Sequence, residues 1–185
     1  KAHEKLEKQA HIDPLTAALN RHAFHGYVNR DGDYGDQNQT AGTVGFFDID
    51  DLKTINDDFG HTVGDIAIRA VVRGIRQLIR AEDLIFGLGG DEFFVLMIGL
   101  NARTATLRME RLEDLLSNIQ LGETNRQISV RVSYAFADFD DISDLEETIE
   151  KADAMMYREK QIRKGIAGTD FIPRAQIAGN ARTAS

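Results

Sequence analysis

Leu84-Ile85-Phe86-Gly87-Leu88-Gly89-Gly90-Asp91-Glu92-Phe93-Phe94-Val95-Leu96-Met97-Ile98 reads as two apolar runs joined by a glycine pair and two acids. Each run has strand length and is rich in aromatic and aliphatic residues, which predicts strands over 84–88 and 92–98. Gly89 and Gly90 permit backbone angles closed to other residues, so the join is a hairpin.

Working outward, residues 43–49 form a short apolar run that reads as a buried strand with an acidic end. Ile66, Ile68, Val71, Val72, Ile75, Leu78 and Ile79 then mark a long helix with a broad buried stripe. Arg69, Arg73, Arg76 and Arg80 recur on another face of it. Downstream, Leu112, Leu115, Leu116 and Ile119 define a helix, residues 128–136 a strand, and residues 145–162 a last helix with Ile149, Ala152 and Met156 inward. This order contains the β-α-β-β-α-β pattern of an α+β, ferredoxin-like fold, with helices on one face of an antiparallel sheet. One more helix precedes it, started by Asp13 and Pro14 and lined by Phe24, Tyr27 and Val28, and another follows. Residues 1–10, with Glu4 and Lys8 at ion-pair spacing, read as the end of an upstream linking helix. Residues 11–164 form the domain, residues 30–42 a polar loop within it, and residues 165–185 an irregular tail.

The chain has 185 residues, enough for one full core, with 42% hydrophobic and 28% charged residues, a globular balance. A net charge of -8 argues against a nucleic acid polymer as partner, because gripping a phosphate backbone takes a concentrated positive surface. It leaves room for small phosphate ligands held by a metal ion and local basic groups. The absence of cysteine excludes disulfides and thiolate metal sites and fits a reducing, cytoplasmic setting. No apolar run approaches the roughly 20 residues that span a bilayer. Lys1 in place of an initiator Met suggests a piece of a longer protein, with an upstream sensory or regulatory region expected.

Asp48 and Asp50 project from the same side if strand geometry continues past residue 49, and Asp51 from the other. Alone they read equally as a strand-end cap or as a metal site. Asp91 and Glu92 in the glycine hairpin tilt the choice, since a divalent cation is the simplest means of holding ionised carboxylates together. Hard oxygen ligands favour magnesium, with manganese as the alternative, and both assist phosphoryl transfer. That the two clusters meet rests on the proposed sheet. Asn56, Asp57, Gly60, His61, Gly64 and Asp65 read as a long capped loop or as a base-recognition stretch, in which asparagine offers donors and an acceptor and aspartate accepts from guanine N–H groups. Asp31, Asp33 and Asp36 fail the spacing of a calcium loop. Lys160 and Lys164 lie one turn apart near a helix end, as solubilising groups or as point charges for phosphates. Arg80 and Asp83 read locally as a surface ion pair.

These segments, taken together, resemble the GGDEF domain family over residues 13–164. The resemblance is carried by Asp13-Pro14-Leu15-Thr16 with Asn20-Arg21, Asp48-Ile49-Asp50 with Lys53, Ile55-Asn56-Asp57, Gly60-His61, Gly64-Asp65, Gly89-Gly90-Asp91-Glu92-Phe93, and Ala152-Asp153 with Tyr157 and Lys160. It implies a diguanylate cyclase that joins two GTP molecules into cyclic di-GMP across a transient homodimer and expels pyrophosphate. By similarity, Asp48, the Ile49 carbonyl, Asp91 and Glu92 form the metal and catalytic group. Asn56 and Asp65 match guanine-recognition positions, Lys53 belongs to the substrate-binding set, and Lys160 and Lys164 match phosphate contacts. Arg80 and Asp83 match the family's RxxD site for inhibition by product. Three positions depart from the family pattern: Gly87 where a basic residue is common, Ala135 where glycine is common, and Lys164-Gly165 in the last motif. The alternative that Gly87 and the altered last motif keep open is a catalytically weak GGDEF module acting as a GTP or cyclic di-GMP receptor.

Overall fold

The computed structural model describes residues 11–28, 41–121 and 126–163. The expected linking helix, most of the polar loop and the tail lie outside them. In chain order the elements are α1 (Arg21–Val28), β1 (Gly42–Ile49), α2 (Leu52–Phe59), α3 (His61–Leu78), β2 (Leu84–Gly89), β3 (Glu92–Ile98), α4 (Ala102–Met109), α5 (Leu112–Leu116), β4 (Ile119–Gln120), β5 (Gln127–Ile128), β6 (Val132–Phe139) and α6 (Leu145–Arg163). Four strands form one sheet in the order β2-β3-β1-β6, every neighbour antiparallel, as a ferredoxin-like core requires.

β1 is central and buried at all eight residues, so side-chain alternation sends its residues into two cores. Phe47 and Ile49 join Phe93, Val95 and Met97 against the Ile68, Val71 and Ile75 stripe of α3. Val44 and Phe46 join Phe86, Phe94 and Leu96 against Phe24 of α1 and Leu145, Ile149, Ala152 and Met156 of α6. The flanking helices thus cover the sheet face that α3 leaves bare. Phe86 and Phe94 stack at 4.7 Å between centroids, and Phe24 meets Phe94 edge-on at 4.8 Å.

Several segments differ from the sequence reading. Asp13 starts a turn, not a helix: its carboxylate accepts from the Thr16 N–H and hydroxyl at 2.8 and 2.6 Å, and Ala17 has φ 58°. The helix begins at Arg21, where the Asn20 side chain accepts the Ala23 N–H at 3.0 Å. Between them, Leu19 bridges Phe86 in parallel and covers the free edge of β2. The polar stretch after β1 is the helix α2, separated from α3 by Gly60 at φ 85°. The predicted helix around 112–119 divides into α5 and strand β4, the helix α4 before it is absent from the sequence reading, and the strand over 128–136 divides into β5 and β6. Ile119 pairs with Ile128 in a separate small ladder, and the Val130 N–H donates to the Leu116 carbonyl at 3.0 Å. Arg69 and Arg76 donate to the Leu15 and Ala17 carbonyls at 3.3 and 3.1 Å, so part of the arginine stripe clamps the turn at Asp13.

Gly45 shows how closely the sheet and its cover are packed. A Cβ there would run into the Phe136 ring, 2.7 Å from Cδ1 and 2.9 Å from Cζ. Gly45→Ala should destabilise the fold by about 1–3 kcal/mol. The check is a lower urea midpoint at unchanged slope.

Candidate active site

The antiparallel register of β1 and β3 places Asp48 directly opposite Glu92. Residues so paired carry Cβ atoms about 4.5–5.5 Å apart on one face. The Ile49 N–H donates to the Asp91 carbonyl at 3.0 Å, which ties the acidic end of β1 to the hairpin turn. Gly89 and Gly90 make that turn with φ of 147° and 53°, a region that favours glycine. The two acidic clusters therefore meet at one end of the sheet. Phe46 and Phe94, each two residues away on the same face, belong to the core under α6, so Asp48 and Glu92 emerge on the α6 side.

Lys160 of α6 meets them, four residues beyond the buried Met156. Its ammonium pairs with Asp48 Oδ1 and lies 3.2 Å from Asp50 Oδ1. Asp48 and Asp50 thus share a side, as the strand argument expects. Ser133, facing Asp48 across the β1–β6 ladder, donates its hydroxyl to both Asp50 carboxylate oxygens at 2.9 and 3.0 Å. Burial pushes the Asp48 carboxyl above its ordinary pKa against the pull of Lys160, and the Asp91 and Asp50 charges add to the rise. Burial pulls the Lys160 ammonium down, but Asp48 and Asp50 outweigh it and hold the pKa above the ordinary lysine value.

The remaining candidates are distributed around this cluster. Asn56 lies on α2 with its amide against Gly64 of α3, the residue before Asp65, so these two positions are neighbours at the α2–α3 corner. Lys53 is exposed in the first turn of α2. Asp83 and Arg80 sit where α3 gives way to β2, six residues of extended chain, roughly 20 Å, from the hairpin turn. Asp83 is buried and accepts the Arg80 backbone N–H at 2.8 Å, while the Arg80 side chain is exposed. Burial pushes the Asp83 carboxyl up, against the pull of Arg80. Lys164 lies outside the described residues.

Among the described residues no three His, Cys, Asp or Glu side chains close into a metal cage. The donor set still fits magnesium, which is commonly held by one or two carboxylates together with substrate phosphates. Carboxylates facing each other across one strand pair are donors of that kind.

The family model described as "Diguanylate cyclase, GGDEF domain" matches residues 10–165. The chain belongs to the GGDEF domain family. The probable diguanylate cyclase DgcC of Escherichia coli K12 is 32% identical over 158 residues, 85% of this chain and 42% of that protein. Diguanylate cyclase DgcP of Pseudomonas aeruginosa is 31% identical over 167 residues, 86% of this chain and 24% of that protein. The GGDEF domain thus spans less than half of these relatives. The crystal structure of the coiled coil and GGDEF domain of DgcB from Caulobacter crescentus, in complex with c-di-GMP, superposes with TM-score 0.73 at 26% identity, covering 85% of this chain and 84% of that one.

Within the GGDEF domain, two of the departures from the family pattern fall on described residues. A Cβ at Gly87 would lie 3.6 Å from the Phe93 ring and 3.9 Å from the Leu19 carbonyl oxygen, ordinary contact distances, so the fold admits a side chain there. Ala135 is buried opposite Phe46 and packs in the core under α6. Ser133 and the part Asp50 plays in seating Lys160 are absent from the sequence reading. Only the pairing of β1 with β6 reveals them, and no local motif announces it.

Lys160 offsets two partly buried carboxylates, so removing it leaves them uncompensated. Lys160→Met should lower stability by about 1–3 kcal/mol at neutral pH, between the values for exposed and buried pairs. Because Asp48 has a raised pKa, the deficit should shrink as pH falls and the acids take up protons. Denaturant titrations at neutral pH and near pH 4 check both the size and the sign.

Proposed function

We propose that the chain is a diguanylate cyclase that condenses two GTP molecules into cyclic di-GMP. The observation that carries this reading is the register setting Asp48 opposite Glu92, with Asp91 in the turn beside them. The naming of relatives as diguanylate cyclases and the bound c-di-GMP of the DgcB structure support it.

Each domain of a transient homodimer holds one GTP, and the 3′-hydroxyl of each attacks the α-phosphorus of the other. At each centre an O3′–P bond forms, the bond from the α-phosphorus to the bridging oxygen breaks, and pyrophosphate leaves with the electron pair. Asp91, in the hairpin turn, would assist loss of the hydroxyl proton. Asp48, the Ile49 carbonyl, Asp91 and Glu92 would hold magnesium, or manganese as the alternative. When bound, that ion neutralises triphosphate charge and lowers the pKa of the attacking hydroxyl. Lys160, at the rim of the acids on a flexible stem, and Lys164 after it, contact the β- and γ-phosphates, and Lys53 adds to the substrate-binding set. Asn56 and Asp65, side by side at the helix corner, read guanine.

GTP places this chemistry in the cytoplasm. Because the matched region is a minor part of DgcC and DgcP, an upstream sensory or regulatory region that raises the effective concentration of paired domains fits the same reading. No described helix is long and apolar enough to cross a membrane.

The test is magnesium-dependent turnover of GTP with product identification, across protein concentration and in an enforced dimer. Cyclic di-GMP and pyrophosphate should form, and ATP in place of GTP should give no product. Asp91→Ala and Glu92→Ala should each lower turnover at least about 100-fold with the fold intact. Binding of GTP without turnover, even in the enforced dimer, would support the receptor reading instead.

Arg80 and Asp83 form the proposed site of product inhibition, at the end of the sheet away from the carboxylates. The exposed guanidinium is free of the core and suited to a phosphate or a guanine edge. Arg80→Ala should raise the cyclic di-GMP concentration for half-inhibition about tenfold or more and leave the initial rate unchanged. Asp83→Ala should do the same and also cost about 1–3 kcal/mol of stability, because a buried acceptor that closes the turn is lost. Initial-rate inhibition with added product, alongside unfolding curves, checks both; identical inhibition in parent and variants would remove this site.

A further inference from the structure

Glycine within a helix is unfavourable relative to alanine, because it loses more backbone freedom on folding and contributes no side chain. α3 nevertheless contains Gly64 and Gly74. Gly74 has a packing reason: a Cβ there would lie 2.9 Å from Leu112 Cδ1 and 3.6 Å from Leu116 Cδ2, in the main core. Gly64 is buried as well, and its helical backbone imposes no need for glycine. A Cβ at Gly64 would fall on Asn56 Oδ1 and lie 2.9 Å from Cγ and 3.5 Å from Nδ2 of the same side chain. The three nearest atoms all belong to one polar group, so the space this glycine leaves is filled by the Asn56 amide.

The corner between the helices fixes the backbone from which that amide projects. The Gly60 N–H donates to the Asn56 carbonyl at 2.9 Å, and the Val63 and Gly64 N–H groups donate to the Gly60 carbonyl at 3.0 and 3.2 Å. The backbones of Asn56 and Gly64 are thereby linked through Gly60, and the two helices are set at a fixed separation. Lodged against the α-carbon of Gly64, the amide is confined beside Asp65. Side-chain freedom that a loose asparagine would lose on gripping a base is already removed.

We propose that Gly64 is a positioning residue for nucleotide recognition, whose missing side chain seats the Asn56 amide. The inference rests on the reading of Asn56 and Asp65 as guanine contacts and adds the element that places one of them. It has a consequence that an ordinary packing glycine lacks. A methyl group at position 64 favours the helix and displaces only Asn56, so its effects on folding and on ligand binding separate once Asn56 is shortened.

The experiment is a double-mutant cycle on the whole chain: parent, Gly64→Ala, Asn56→Ala and the double variant. Its readouts are equilibrium binding of a non-hydrolysable GTP analogue with magnesium, thermal unfolding, and KM and kcat in the enforced dimer. Gly64→Ala should weaken analogue binding about tenfold, the size of one lost paired polar contact. KM should rise while kcat at saturating GTP stays within about threefold. The double variant should bind no more weakly than Asn56→Ala alone, since both changes remove the same contact. In the Asn56→Ala background, Gly64→Ala should raise Tm by about 2–4 °C, the helix preference expressed without the clash. If Gly64→Ala alone fails to fold, recovery of folding in the double variant carries the same meaning. Unchanged binding in folded Gly64→Ala, additive loss in the double variant, or a double variant less stable than Asn56→Ala each overturns the inference while leaving the proposed function intact. A parent that does not bind the analogue overturns the function and this inference with it.

Discussion

The pairing of β1 with β3 is the interaction on which the rest of the molecule depends. β1 is buried on both sides, and its alternation sends Phe47 and Ile49 under α3 and Val44 and Phe46 under α6. A slip of one residue would turn every one of these side chains to the wrong core, which fixes the register strongly. The same register carries Asp48 to Glu92, and the last ladder bond carries Ile49 to Asp91. Carboxylates that repel one another are held together by aromatic packing that lies behind them. Lys160 and Ser133, from the strand and helix on the other side of β1, offset part of the repulsion.

Backbone conformation turns that pairing into a site. Asp51 leaves β1 at φ 54°, a left-handed conformation that aspartate tolerates better than most residues, and so directs the chain into α2 while Asp50 stays beside Asp48. Gly60 then turns α2 into α3 and brings Asn56 against the residue before Asp65. At the far end of α3 the chain re-enters the sheet through a turn closed by the buried Asp83. Carboxylates and RxxD motif therefore occupy opposite ends of the β2–β3 hairpin, without contact between them.

Legibility in the sequence followed the range of the interactions. The hairpin at Gly89-Gly90, strand β1, the stripe of α3 and the inward face of α6 rest on near neighbours and emerge within a few residues of where the sequence places them. Apart from the polar stretch that forms α2, the misread segments are those where a side chain or backbone group bonds outside its own element. Asp13 looks like a helix cap, yet its carboxylate serves a turn held by arginines of α3. Ile119 and Ile128, read as helix and strand, pair with each other. Lys160 reads as a solubilising group or a phosphate contact, and its partner Asp48 is 112 residues away along the chain.

The amino-acid sequence by itself determined the fold class and named the candidate residues of the site, Ser133 apart. Periodicity of apolar residues is a local property, and the ordered motifs from Asp13 to Lys160 name the acids, amides and bases that the family resemblance invokes. Tertiary structure alone decided which of them meet. Whether Asp48 faces Glu92, whether Asn56 lies beside Asp65 and what holds Asp50 depend on strand register and helix approach. The register is set by the simultaneous filling of two cores, and no short window of the sequence holds both Asp48 and Glu92 or both Asp50 and Ser133. Asn56 and Asp65 share one stretch, and the corner at Gly60 brings them together.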